Sequence, residues 1–381
     1  MAIDRVFLGQ KVARYREQLL VGLSDVSQMT GIAVDRLRAI ESGQVEPTGD
    51  EVLILADYFN CDFRFFISNE RVAPFDQTEE LYRAHPGDFT AVDRRAIQEF
   101  LYLCETEAGL RADLERRDRP FLFVPQGTHF KSQGEQAALE LRKHLGLSVA
   151  DVPVDVYALF RQCGVHVFRR KLQNSGISGL FVKHPVAASC ALVNFSEDVY
   201  RQRFSAAHEM GHAVLDGEQN ATSVTYAQQD RNDLVEIRAN RFASCFLMPP
   251  ASLRDLPTPA QWKEADIIRW AKHFSVSCHA LSVALLEAHL IDRSAFSRLK
   301  EARVPGQAKS DPELPADMNG SQRARKSHLL ERGLSDDYVG LCFDALHAGV
   351  ITVGRLAEAF LCSIHELAEL AELYGRSLHG H

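Results

Sequence analysis

The stretch RFSAAHEMGHAVLDG, Arg203–Gly217, constrains this chain more than any other. Its apolar residues recur at helical spacing, which predicts a helix. On a helix, residues four apart project from one face, so His208 and His212 can grip one metal ion together. Glu209 is offset by about 100° from His208. It reaches beside such an ion and not onto it, where a base must sit to take a proton from metal-activated water. Gly211 allows another segment to come close to this helix. The alternative is an amphipathic helix whose histidines find ordinary hydrogen-bond partners, and a third ligand would decide between the two.

A second helix is predicted from near Asp233, in DLVEIRANRFASCFLMP. Ala239, Phe242, Ala243, Phe246 and Leu247 form its apolar stripe. Glu236 lies at the edge of that stripe, from which it can emerge towards the histidines; a solvated surface glutamate is the competing reading. Asn240, one turn further on, can hold a ligand histidine's other ring nitrogen. Two imidazoles and one carboxylate leave a fourth position open to water, as in catalytic zinc sites. Imidazole ligands favour zinc over magnesium, and one zinc per chain is expected.

Around this centre the period of the sequence changes. VHVF (165–168), GLFV (179–182) and CALVNF (190–195) alternate as strands. Helical spacing dominates elsewhere: in short pieces over 1–67, over 90–117, 134–146 and 153–163, from Val199 to about 290, and over 327–375. The fold class is mainly α with a small β-sheet. Five segments are expected: 1–67, a connector at 68–133, the metal-site domain at 134–300, a Pro-, Gly- and Ser-rich flexible linker at 301–326, and a small helical region at 327–381. No internal repeat is evident.

The net charge of −8 argues against broad attachment to nucleic acid or anionic membrane, though a local basic patch remains open. Eight scattered cysteines with no C-x-x-C pair fit reduced thiols. No stretch reaches signal-peptide or membrane-span character. The expected compartment is the cytoplasm.

The motif RFSAAHEMGHAVLDG followed by EIRANRFASCFLMP resembles the ImmA/IrrE family of bacterial and phage metalloproteases, over roughly 135–290. The resemblance implies a gluzincin-like zinc peptidase with His208, His212 and Glu236 as ligands and Glu209 as the base. The family often carries a second acidic residue just before Ala239-Asn240; this chain has Arg238 there. The resemblance further implies cleavage of a partner protein, usually a small helix-turn-helix repressor, releasing stress, DNA-damage or mobile-element and defence genes. A peptide substrate is expected to add as a strand along 189–195, with Leu192 and Asn194 setting side-chain preference.

Residues 8–67 resemble a Cro/repressor-type (XRE) helix-turn-helix domain of five helices, through Thr30-Gly31, Leu37, Ile40-Glu41-Ser42-Gly43, Pro47, Leu55-Ala56 and Phe59. Val26, Ile32, Leu37 and Ile40 fall where two helices pack at a steep angle. Val34, Asp35, Arg36 and Arg38 are the expected DNA-facing residues, with Arg14 and Arg16 nearby. Against this, 1–67 holds more acidic than basic residues. Three functions are therefore carried forward: a zinc endopeptidase, a DNA-binding regulator whose zinc is structural or sensory, and an antitoxin-like binding protein. Dimerisation or repressor docking is a further use open to the N-terminal domain. Cys190, Cys245 and the 302–381 region are candidate gates on the activity, although small buried core residues are the plainer account of both cysteines.

Overall fold

The computed structural model describes residues 4–61, 63–68, 76–85, 87–116, 118–216, 222–226, 233–315 and 317–378. Part of the expected connector, 69–75, lies outside them. The chain divides into two compact units, Met1–Leu103 with Leu172–Asn174, and Cys104–Lys171 with Ser175–His381. These cut the chain differently from the five expected segments.

The first unit contains α1 (Arg5–Gln18), α2 (Leu23–Thr30), α3 (Val34–Glu41), α4 (Gly49–Phe59), α5 (Phe63–Ile67), α6 (Asp76–Ala84) and the first part of α7 (Ala91–Asp113). Asp4 caps α1 through the backbone N–H groups of Val6 and Phe7. Gly31, at φ 74°, makes the left-handed turn between α2 and α3. Val26, Leu37 and Ile40 are buried where the two helices meet, beside Leu8, Val12 and Leu55.

The second unit holds the sheet. In chain order it contains α8 (Phe130–His144), α9 (Val156–Gln162), β1 (Val165–Arg170), β2 (Ile177–His184), β3 (Ala188–Asn194), α10 (Val199–Leu215), β4 (Thr222–Tyr226) and α11 (Leu234–Leu247). Then follow α12 (Pro250–Arg254), α13 (Glu264–Phe274), α14 (Cys278–Glu287), α15 (Arg293–Leu299), α16 (Gly320–Glu331), α17 (Asp336–His347), α18 (Val353–Ala359) and α19 (Ile364–Leu373). The strand order is β1-β3-β2-β4. β3 runs parallel to β1 and antiparallel to β2, and β4 pairs antiparallel with β2. Helix α10 packs on the sheet, and its other side meets α11, which in turn packs on α8. The main apolar core lies between these layers, with Phe160, Ala207, Met210, Phe242 and Phe246 at its centre.

Two expectations about organisation are corrected. Residues 301–326 are not a free linker. Asp311 and Glu313 are buried and bind the two terminal nitrogens of buried Arg169 on β1, each at 2.6 Å. The polar composition that suggested a linker in fact supplies the partners of a buried cation. The helical tail also repeats the N-terminal pattern. Leu356, Leu361, Leu367 and Leu370 occupy the spacing of Val26, Gly31, Leu37 and Ile40. Leu361 turns through φ 51°, and Leu356, Leu367 and Leu370 are buried. A leucine in the place of the turn glycine hides this repeat from the sequence.

Removing one partner of a buried ion pair strands the other. Arg169→Met is therefore expected to destabilise the second unit by about 3–5 kcal/mol in urea unfolding, and to open 302–315 to limited proteolysis. In the first unit, Arg36 pulls the Glu51 carboxyl down to about 2 through its side-chain hydrogen bond, against the opposing effect of burial. A depressed folded pKa gives stability present above about 4.5 and lost as pH falls towards about 2. Glu51→Gln keeps the helix cap at Thr48 but should flatten acid unfolding of this unit in that window, as read by circular dichroism.

Candidate metal centre

The helix expected over Arg203–Gly217 is α10, begun by the cap of Asp198 on the Tyr200 N–H. Arg203 anchors it, donating to the carbonyls of Pro153 at 2.5 Å, Ser275 at 3.2 Å and Val154. Gly211 faces α11 at close range. A Cβ there would lie 3.2 Å from the Ala239 Cα and against the Phe242 ring. This approach brings Glu236, in the first turn of α11, over the two histidines.

The side chains of His208, His212 and Glu236 converge, their ligand atoms all within 4.8 Å of one another. The two Nε2 atoms are 3.0 Å apart, and Glu236 Oε2 and Oε1 lie 3.2 Å from His208 Nε2 and His212 Nε2 respectively. Ligand atoms about 2.0–2.1 Å from a tetrahedral zinc sit about 3.3 Å from each other. The three donors therefore fit a small divalent cation. Both histidines are buried and Glu236 is partly so.

Each histidine is braced through its other nitrogen. Asn240 Oδ1 is 3.1 Å from His208 Nδ1. Asp216 Oδ2 is 2.9 Å from His212 Nδ1. Asp216 is not among the residues expected from the sequence, although its place four residues after His212 is a legible signal. Asp216 is in turn ion-paired to buried Arg238, which also binds Gln133 at 2.9 Å and covers the Phe130 ring. Arg238 thus has a role, in holding the carboxylate behind His212.

Electrostatics of the metal-free cluster follow. Burial opposes charge on His212, but hydrogen bonds to Asp216 and Glu236 outweigh it and lift the imidazole to about 10. Burial likewise opposes charge on Glu236, and its two histidine partners hold its carboxyl below the usual range. Glu209 is different. It is fully buried, and burial pushes its pKa up. Among the described residues, neither of its oxygens has a partner in hydrogen-bond geometry. The Thr225 hydroxyl is near enough to pull the pKa down a little, yet it too lacks a partner in good geometry.

The expected substrate strand is corrected. β3 lies inside the sheet, paired on both sides. Leu192 is fully buried, and Asn194 spends its amide on the Ile177 carbonyl at 2.7 Å. Sequence order placed β3 just before the histidine helix but could not show that it inserts between β1 and β2. At the β1 side, the end of the strand bridges to Arg332. β4, which the sequence reading did not separate from its helical surroundings, forms the other edge.

The expected DNA-facing residues lie at the start and along the exposed side of α3. Val34 is half-buried and Asp35 exposed. Arg36 binds Glu51 through two nitrogens at 2.8 Å, Arg16 binds Glu41 at 2.7 Å, and Arg14 pairs with Glu79. Among the described residues, Arg38 makes only an exposed pair with Asp35, at 2.8 Å. The candidate gate cysteines, Cys190 and Cys245, are buried, and burial pushes the Cys245 thiol up to about 12.

A histidine pair and a carboxylate on two packed helices form a group that could hold a metal ion, with a second carboxylate buried beside them. Residues 160–286 match the family model of peptidase family M78, the IrrE N-terminal-like domain, and residues 12–66 match a helix-turn-helix model. These two stretches are thus similar to the ImmA/IrrE-type metallopeptidase domain and to a helix-turn-helix domain. No curated protein matches it. Among the described residues, no helix is long and apolar enough to cross a membrane.

His208→Ala and His212→Ala are expected to lose stoichiometric metal in elemental analysis. Asp216→Asn should keep the metal site but weaken it by about tenfold in chelator competition, because it loosens the brace behind His212.

Proposed function

We propose that the protein is a zinc-dependent endopeptidase that cleaves a partner protein, with a small helix-turn-helix repressor as the favoured substrate. The observation that carries this reading is Glu209, a fully buried carboxylate with both oxygens unpartnered beside the ligand cluster. Such a group is costly to keep in a folded protein and marks functional sites. A structural or sensory zinc site has no use for it.

His208, His212 and Glu236 would hold one zinc ion per chain. When bound, zinc polarises a scissile carbonyl and makes water more acidic. The protein's own part is to take the proton from water at Glu209, whose carboxylate is made a stronger base by burial. Asn240 and Asp216 keep the ligand rings turned inwards. The peptide would add as an extended strand to β4, which pairs only with β2 among the described residues. Cleavage of a repressor would release the stress, DNA-damage or mobile-element genes it silences.

The N-terminal domain would meet DNA weakly and with strong salt dependence, since Arg14, Arg16 and Arg36 are already paired. Arg38 is the residue best placed to reach it.

The test incubates full-length protein and zinc with a small helix-turn-helix repressor, chosen from a neighbouring gene where one encodes it. Glu209→Gln should slow cleavage by about 10²–10⁴-fold while metal content holds. Undiminished cleavage by that variant would refute Glu209 as the base. For DNA, fluorescence anisotropy on the protein's own promoter at several salt concentrations should show binding at low salt that Arg38→Ala weakens.

A further inference from the structure

The floor beneath Glu209 is built from three features that the metal site itself does not need. Gly179 on β2 faces the carboxylate so closely that a Cβ there would lie 2.3 Å from Oε1. Thr225 on β4 is the cross-strand neighbour of Gly179 and is buried, with its hydroxyl unpartnered. Between Ile177 and Gly179 the β2–β4 register shifts, so that Ile177 opposes Tyr226 while Gly179 opposes Thr225. Such irregularities re-aim side chains next to active sites. Here the shift leaves Ser178 unpaired with β4, and its hydroxyl binds Glu197 at 2.7 Å.

We propose that Gly179 and Thr225 are positioning residues for Glu209, forming a seat that fixes the direction of its carboxylate. Gly179 supplies the room, and no larger residue leaves the carboxylate where it stands. Thr225 supplies a hydroxyl within reach of the carboxylate, placed to turn and donate to one oxygen while the other faces the reacting water. The register shift sets these two residues opposite each other. The seat acts through Glu209 alone, and neither residue has a place among the metal ligands. The proposal rests on the reading of Glu209 as the base.

The experiment reads the aim of Glu209 without a substrate. Full-length protein is loaded with cobalt(II) in place of zinc and titrated with acetohydroxamate, following the visible absorption of the metal. A hydroxamate chelates the metal and offers its hydroxyl proton to a neighbouring carboxylate, so its affinity depends on where that carboxylate points. Thr225→Val is expected to weaken hydroxamate binding about tenfold with cobalt content unchanged, and Thr225→Ser to restore it. Gly179→Ala should weaken it at least as much; if that variant fails to fold, the Val and Ser pair at Thr225 decides alone. Glu209→Gln separates the two readings. If it binds hydroxamate like the parent chain, the base assignment itself fails. If it binds weakly while Thr225→Val binds like the parent, Glu209 stands and the seat is overturned.

Discussion

The centre depends on how closely α10 and α11 can approach. A helix pair separated by ordinary side chains would leave Glu236 short of the histidines. Gly211 removes one layer of atoms from the contact, so that the α11 backbone at Ala239 lies directly on α10. The second layer of contacts then crosses the same interface. Asn240 of α11 holds His208, and Arg238 of α11 holds Asp216, which holds His212. Each histidine on one helix is thus set by a residue of the other, so ligand geometry and helix packing are a single constraint.

The treatment of buried charge separates structure from chemistry. Arg169 meets two carboxylates, Glu107 meets His166 at 2.8 Å, and Arg203 spends its guanidinium on backbone carbonyls. These groups are compensated, and they tie β1, α10 and the 302–315 segment into the core. Among the described residues, Glu209 is the only buried carboxylate with both oxygens unpartnered. A fold that gives its other described buried carboxylates at least one partner has left this one open beside three metal-ligating side chains.

Legibility in the sequence followed locality. His208, Glu209 and His212 were readable because helical spacing fixes their relation within one turn, and Asn240 because it lies one turn from Glu236. Gly31, part of the helix-turn-helix pattern, sits at the left-handed turn that ends α2. What depended on non-local pairing was misread. The place of β3 inside the sheet comes from strand insertion, which no local period encodes. The 301–326 segment looked like a linker because its acidic residues have their cation far away in sequence, at Arg169. β4 has β-branched residues enough to be found, yet helical stretches on both sides masked it. Gly179 lay in plain view in a predicted strand, but the reason for a glycine there is a carboxylate from another element.

The N-terminal domain shows why fold and function have to be argued separately. Its helix-turn-helix packing is intact, but the arginines do different jobs. Arg16 and Arg36 make two-pronged contacts that join α1 to α3 and α3 to α4, and releasing them to contact phosphate would loosen the domain that presents them. Arg38 is held only by an exposed pair with Asp35, which contributes little and is screened by salt. Any DNA affinity must therefore come chiefly from the least structural of these residues. The C-terminal repeat goes further in the same direction, because its presenting helix α19 exposes Glu366, Glu369 and Glu372. The same spacing of buried leucines serves there as a packing solution, on a surface whose charge disfavours a phosphate backbone.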